Sequence, residues 1–249
     1  MYFGYIGAMV LATMVGLSLG ALGSGGSIIT TPILVYVAHI PPEHAVGMSL
    51  FIVGATSVVG AFVQMRRGNV ERMPVLFFAL TGMIGSFIGS SGTHLVSARA
   101  LMLMFSSLML VVGTAMWHGS GRLQQSQGCN PYKCLPAGFA VGILTGFLGV
   151  GGGFLIVPAL VLFAGLETRK AIGTSLAVIT LNSITGVLGQ LRFERLDWTL
   201  VSGFLVFAIA GMMIGLAVAD RIPGIQLRRI FAIAVVIVGA VVALQNLFP

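Results

Sequence analysis

Residues 20–32 read GALGSGGSIITTP and residues 146–158 read GFLGVGGGFLIVP, 126 positions apart. Each sets adjacent glycines at the mouth of a short apolar run that contains a proline. The two runs, Ser27 to Ala38 with Pro32 and Gly153 to Ala164 with Pro158, are 12 residues each. At about 1.5 Å per residue such a helix reaches about 18 Å, well short of a hydrocarbon core of roughly 30 Å. A broken or re-entrant helix is expected in both places, and non-helical backbone at membrane depth is tolerated only where protein or a cavity surrounds it.

The rest of the chain makes the membrane the right setting. Apolar residues make up 57% of the 249 and charged residues only 8%, against about 25% charged in a soluble domain. So few charges cannot cover a water-exposed globule, which excludes a soluble enzyme. The net charge of +7 comes from 13 basic residues, set against six acidic ones and scattered in ones and twos between apolar runs; they form no stripe, and no nucleic acid partner is expected. The opening MYFGYIGAMVLATMVGLSLG has no Lys or Arg ahead of its apolar run and reads as a first membrane segment, not a cleaved leader. Cys129 and Cys134 fall in the polar stretch and read as two plain thiols, with no disulfide framework.

Ten apolar runs divide five and five about that polar stretch, giving a first membrane repeat at 1–117, a linker at 118–134 and a second repeat at 135–249. A shift of 126 residues aligns the halves without a gap from Gly16 to Gly113. Gly16, Gly20, Gly23, Gly25, Gly26 and Pro32 fall on Gly142, Gly146, Gly149, Gly151, Gly152 and Pro158, while Ser49, Ser57, Gly60 and Gln64 fall on Ser175, Ser183, Gly186 and Gln190. Chance pairing of apolar residues does not keep Gly, Pro, Ser and Gln in one register; the chain is an internal duplication. Five segments is an odd number, so the second copy should enter the membrane inverted. With the N-terminus outside, ten basic residues lie inside and only Arg99, Arg192 and Arg195 outside, as the positive-inside rule requires. The expected fold is an all-α polytopic membrane protein of two inverted five-segment repeats, each with a short broken or re-entrant Gly-rich helix.

Paired, Gly-interrupted segments at matching positions of inverted halves point to the binding site of a secondary transporter. Glycines uncover backbone amides, and a helix that starts there presents the positive end of its dipole, so an anion can be held without a buried cation. The candidate site comprises Gly23, Ser24, Gly25, Gly26 and Ser27 of the first copy with Gly149, Val150, Gly151, Gly152 and Gly153 of the second. Thr30 and Thr31 add hydroxyl donors. Because Val150 and Gly153 replace Ser24 and Ser27, a shared site is asymmetric. Ser49, Ser175, Asn182, Gln64 and Gln190 are further candidates, although interhelical hydrogen bonds and interfacial placement explain them as well. The spaced pairs Gly16/Gly20, Gly85/Gly89, Gly142/Gly146 and Gly211/Gly215 read as helix packing. His39 and His44 are separated by two prolines, and no metal or other cofactor is expected. No acidic or basic residue lies well inside a run, which disfavours a carboxylate proton relay or an intramembrane enzyme.

The two glycine motifs, each followed by AVGMSL (45–50) or AIGTSL (171–176), resemble the TauE/SafE family of sulfite and organosulfonate exporters over essentially the whole chain. That resemblance implies a bacterial inner-membrane permease moving a small sulfur oxyanion or organosulfonate, such as sulfite, sulfoacetate or thiosulfate, usually outward, with the glycine motifs on Gly23, Gly25, Gly26, Gly149, Gly151, Gly152 and Gly153. The partners expected are that anion and the lipid bilayer, with a homo-oligomer left open. An anion channel or a structural membrane scaffold is the alternative.

The inverted topology places both termini in the periplasm and the linker in the cytoplasm. A Gln124→Cys variant in a background lacking Cys129 and Cys134 should resist an impermeant maleimide added to intact cells and label after lysis. Ready labelling of intact cells would contradict the topology.

Overall fold

A computed structural model of the chain describes residues 2–23, 26, 30, 33–37, 42–92, 98–118, 130–148, 153–190 and 198–247. Among these are nine α-helices, one π turn and no strand, so the all-helical expectation holds. The first half supplies α1 (Tyr2–Leu22), the π turn (Ile33–Val37), α2 (Pro42–Arg66), α3 (Arg72–Gly92) and α4 (Ala98–His118). The second supplies α5 (Pro131–Leu148), α6 (Gly153–Leu162), α7 (Thr168–Gln190), α8 (Trp198–Arg221) and α9 (Gly224–Leu247).

Local chemistry sets several ends. Proline opens α2 and α5, at the first helical position where its missing N–H costs nothing. Asn130 caps α5 by accepting from the Tyr132 N–H at 3.0 Å. This capped start carries α5 into the last residues of the polar stretch, which composition alone assigns to the linker. At the far end of α2, Gly68 has φ +72°, its N–H donates to the Met65 carbonyl, and the Asn69 N–H donates to that of Gln64, a Schellman close. Cys134, in the first turn of α5, is buried and engaged in a disulfide. This corrects its reading as a plain thiol; the chain's other cysteine, Cys129, lies outside the described residues.

The 126-residue register reappears in the helices. α2, α3 and α4 begin 126 positions before α7, α8 and α9, and α1 ends 126 before α5. The packing follows it: α1 lies along α8 and α5 along α3, α2 pairs with α7 and α4 with α9, and α2 touches α8 as α3 touches α7. Exchanging every helix for its partner in the other half returns the same pairs.

These pairings rest on bare backbone. Gly16 of α1 lies against the Ala208 carbonyl of α8, and Gly142 of α5 against the Gly82 carbonyl of α3; Ala208 is the register partner of Gly82. Likewise Gly211 lies on the Thr13 carbonyl and Gly85 on that of Phe139, again partners by the same shift. A β-carbon at any of the four would overlap the opposing main chain. The spaced glycines therefore do what their packing reading says: they bring helix axes together where lipid gives no hydrophobic drive for association.

α7 is the centre. Residues 171–179 are buried without a break, Thr174 and Ser175 among them, because other helices surround α7. The outer helices instead turn large apolar side chains outward, including Phe87, Val206 and Ile237. By length and composition, Met48–Arg66, Val201–Arg221 and Gly224–Leu244 can each cross a membrane.

Gly16→Ala and Gly142→Ala should each destabilise the protein by about 1–3 kcal/mol, the usual cost of overpacking, seen as lowered melting temperatures in detergent. A Gly16→Ala protein as heat-stable as the parent would contradict the crossing.

Candidate functional site

The first glycine cluster begins where α1 stops. Gly23 takes φ +74° and its N–H donates to the Leu19 carbonyl at 2.8 Å, a left-handed cap that glycine adopts without the clash of a β-carbon. Its own carbonyl accepts from Ser175 Oγ at 3.0 Å, and the same hydroxyl lies 2.8 Å from the Ile172 carbonyl. A β-carbon on Gly23 would sit 2.8 Å from both Ile172 Cα and Ser175 Oγ. The end of α1 in the first half of the chain is thus seated on α7 in the second half, and two of the sequence candidates, Gly23 and Ser175, meet.

Beyond it the chain folds back. A β-carbon on Gly26 would lie 2.9 Å from Leu19 Cβ and from the Val15 carbonyl, and the π turn packs on α1 and α2. Thr30 is buried and its hydroxyl donates to the Gly26 carbonyl at 2.6 Å. Its expected role as a free donor is corrected: in an apolar interior the carbonyl four residues earlier is the nearest acceptor.

In the second copy, Gly153 is the buried first residue of α6. This helix has 10 residues with Pro158 inside, about 15 Å at 1.5 Å per residue, and it packs against α5 and α7. Ser24, Gly25, Ser27, Gly149, Val150, Gly151 and Gly152 lie outside the described residues.

The remaining candidates scatter along α2 and α7. Ser49 is buried at the position in α2 that Ser175 holds in α7. Gln64 is buried, and its Oε1 accepts from Asn69 Nδ2 at 2.9 Å, which fastens the turn after α2. Asn182 faces α3: its Nδ2 would lie 3.5 Å from a β-carbon on Gly82. Gln190 is the last residue of α7, with its side chain outside the described part.

The loops carrying most of the charges gather at one end. Arg67 pairs with Asp220 and Lys170 with Glu71, both at 2.6 Å and partly exposed, where solvent screening leaves an ion pair little net effect on stability. Arg169 donates to the carbonyls of Asp220 and Ile222. The Glu71 N–H donates to Thr174 Oγ1 at 3.1 Å, and Gly173 admits the Asn69 carbonyl. Motif reading missed this docking of the 67–71 turn onto α7. Its signal was the glycine in AIGTSL, which the helix itself does not require. Arg66 stacks over Phe62 at 4.6 Å, on the exposed side.

A groove of about 640 Å³ lies between α4, α5 and α6, lined by Leu108, Val112, Pro136, Val141 and Pro158, with Tyr132 at its edge. Its walls are almost wholly hydrocarbon and offer an anion nothing. Among the described residues no three His, Cys, Asp or Glu side chains cluster as metal ligands.

A family model described as "Sulfite exporter TauE/SafE" matches residues 8–242. A protein of Xylella fastidiosa (strain 9a5c), named a probable membrane transporter protein, is 36% identical over 235 residues, covering 91% of this chain and 90% of its own. The probable membrane transporter proteins YdhB of Bacillus subtilis (strain 168) and MJ0441 of Methanocaldococcus jannaschii are each 26% identical, over 91% and 85% of this chain and 95% and 83% of theirs. No solved structure matches the chain.

Gly23→Ala should destabilise more than Ser175→Ala. The first forces a left-handed φ at about 1–2 kcal/mol and collides with Ile172, whereas the second loses one hydrogen bond, about 1 kcal/mol. Melting temperatures in detergent check the order; the reverse order would contradict the seating of Gly23 on α7.

Proposed function

This chain belongs to the sulfite exporter TauE/SafE family, whose members are membrane transporters and not enzymes, and we propose that it exports a small sulfur-containing anion across the bacterial inner membrane. The cargo is sulfite, sulfoacetate, thiosulfate or a similar ion, and the route is alternating access between two inverted repeats. The anion is held at helix N-termini contributed by both glycine clusters.

The observation that carries this reading is the hydrogen bond from Ser175 to the Gly23 carbonyl, which joins the first cluster to the second repeat's central helix. The short α6, which starts at Gly153 directly after the second cluster and cannot span a bilayer alone, supports the reading that this cluster opens onto a helix N-terminus. The exchange of packing partners under the 126-residue shift supports an arrangement in which the repeats enclose a shared site. The gathering of Arg67, Arg169 and Lys170 at one end agrees with the orientation that puts both termini outside.

With amide and hydroxyl donors and no buried cation among the described residues, each helix terminus contributes roughly 0.3–2 kcal/mol. Binding is then weak, micromolar to millimolar at about 1.4 kcal/mol per decade, which suits a carrier that must release its cargo.

Purified protein in proteoliposomes should move radiolabelled sulfite with saturation in that concentration range, and Gly25→Val or Gly151→Val should abolish the flux while the protein stays folded in the membrane. Flux rising linearly with concentration would establish an anion channel instead. Normal transport by both variants would place the site elsewhere.

A further inference from the structure

We propose that the Ser57 hydroxyl is an anion-binding donor at the α2–α7 crossing, separate from the glycine clusters, which takes an oxygen of the sulfur oxyanion as α2 and α7 part during transport. The inference rests on the transport reading above and adds a binding residue to it.

Buried polar side chains in this protein are concentrated on two helices. Of the eleven among the described residues, four lie on α2 (Ser49, Thr56, Ser57, Gln64) and four on α7 (Thr168, Thr174, Ser175, Ser183). On α2 the spacing of seven to eight residues keeps Ser49, the Thr56–Ser57 pair and Gln64 near one face; Ser175 and Ser183 repeat it on α7. α2 packs directly on α7, so a polar seam runs between the two repeats inside an otherwise apolar molecule.

Ser57 stands apart within that seam. Helix hydroxyls in apolar surroundings normally donate to a carbonyl three or four residues back. Thr56, Thr81, Ser106, Thr114, Thr145 and Thr180 all do so here. Ser57 has no exposed surface, and its Oγ has no hydrogen-bond partner among the described residues. A buried hydroxyl that declines its own helix carries an unmet donor, which an oxyanion arriving in the seam would satisfy.

Its position fits a passage point. Ser57 lies nine residues from Arg66, about 14 Å at 1.5 Å per residue, close to half of a hydrocarbon core of roughly 30 Å. One turn earlier, Gly54 meets the other repeat at Ser183, the register partner of Ser57: a β-carbon on Gly54 would be 2.6 Å from Ser183 Cβ and 3.1 Å from its Oγ. The crossing is shut at this point, so an anion passes only when the two helices separate. The serines of both repeats are then within one helical turn of its path.

The test uses full-length protein in proteoliposomes, with radiolabelled sulfite as the probe and melting temperature as the second readout. Ser57→Ala should raise the KM for sulfite about tenfold or more, the loss of one hydrogen bond to a charged group, and Ser57→Thr, which keeps a hydroxyl, should recover most of it. Because the hydroxyl bonds nothing in the resting protein, Ser57→Ala should leave the melting temperature unchanged or raised, whereas a structural role would lower it. Wild-type transport with an unaltered KM in Ser57→Ala, or a fall in melting temperature that Ser57→Thr restores without any effect on KM, would overturn the inference and leave the transport reading standing. Wild-type vesicles that move no sulfite, thiosulfate or sulfoacetate would overturn both.

Discussion

A main-chain carbonyl resting on a bare glycine Cα is the contact on which this architecture depends. Between helices in lipid there is no water to expel, so association comes from close packing and weak Cα–H contacts. Gly16 on Ala208 and Gly142 on Gly82 give the α1–α8 and α5–α3 pairs their approach, and Gly211 on Thr13 and Gly85 on Phe139 lock the same pairs one turn away. These outer pairs hold α2 and α7 at the centre. The seating of Gly23 on Ser175, the shut crossing at Gly54 and the polar seam between the repeats all presuppose that frame.

Much of the frame was legible in the sequence, because a duplicated chain tests itself. The register found from Gly, Pro, Ser and Gln matches recurs in helix starts at residues 42 and 168, 72 and 198, and 98 and 224. Glycines at four-residue spacing announced tight crossings, though not which helices they would join. Side-chain hydrogen bonds were not legible, since they depend on rotamers and on neighbours remote in sequence. Thr30 turned to its own backbone, Gln64 was taken by Asn69, and the 67–71 turn docked on Gly173 and Thr174, none of which periodicity encodes. The start of α5 at Pro131 was readable in hindsight from Asn-Pro, but polarity outweighed it.

The two halves are alike in scaffold and unlike in chemistry. Where the first cluster has Ser24 and Ser27, the second has Val150 and Gly153, and where α3 offers Gly82 to its partner helix, α8 offers Ala208. An exactly symmetric carrier would bind its cargo equally well from either side. Differences of one hydroxyl or one methyl amount to about 1 kcal/mol, enough to change a binding constant severalfold without altering the fold.

The most direct measurement is a crystal structure of the protein soaked with selenite, the heavier congener of sulfite, with the selenium located from its anomalous signal. A single strong peak is expected between the two halves of the chain, within hydrogen-bonding distance of backbone amides of a glycine cluster or of the serine hydroxyls lining α2 and α7. A peak beside Arg66 or elsewhere among the charged loops, with none between the repeats, would show that fixed cations hold the anion and would contradict the account.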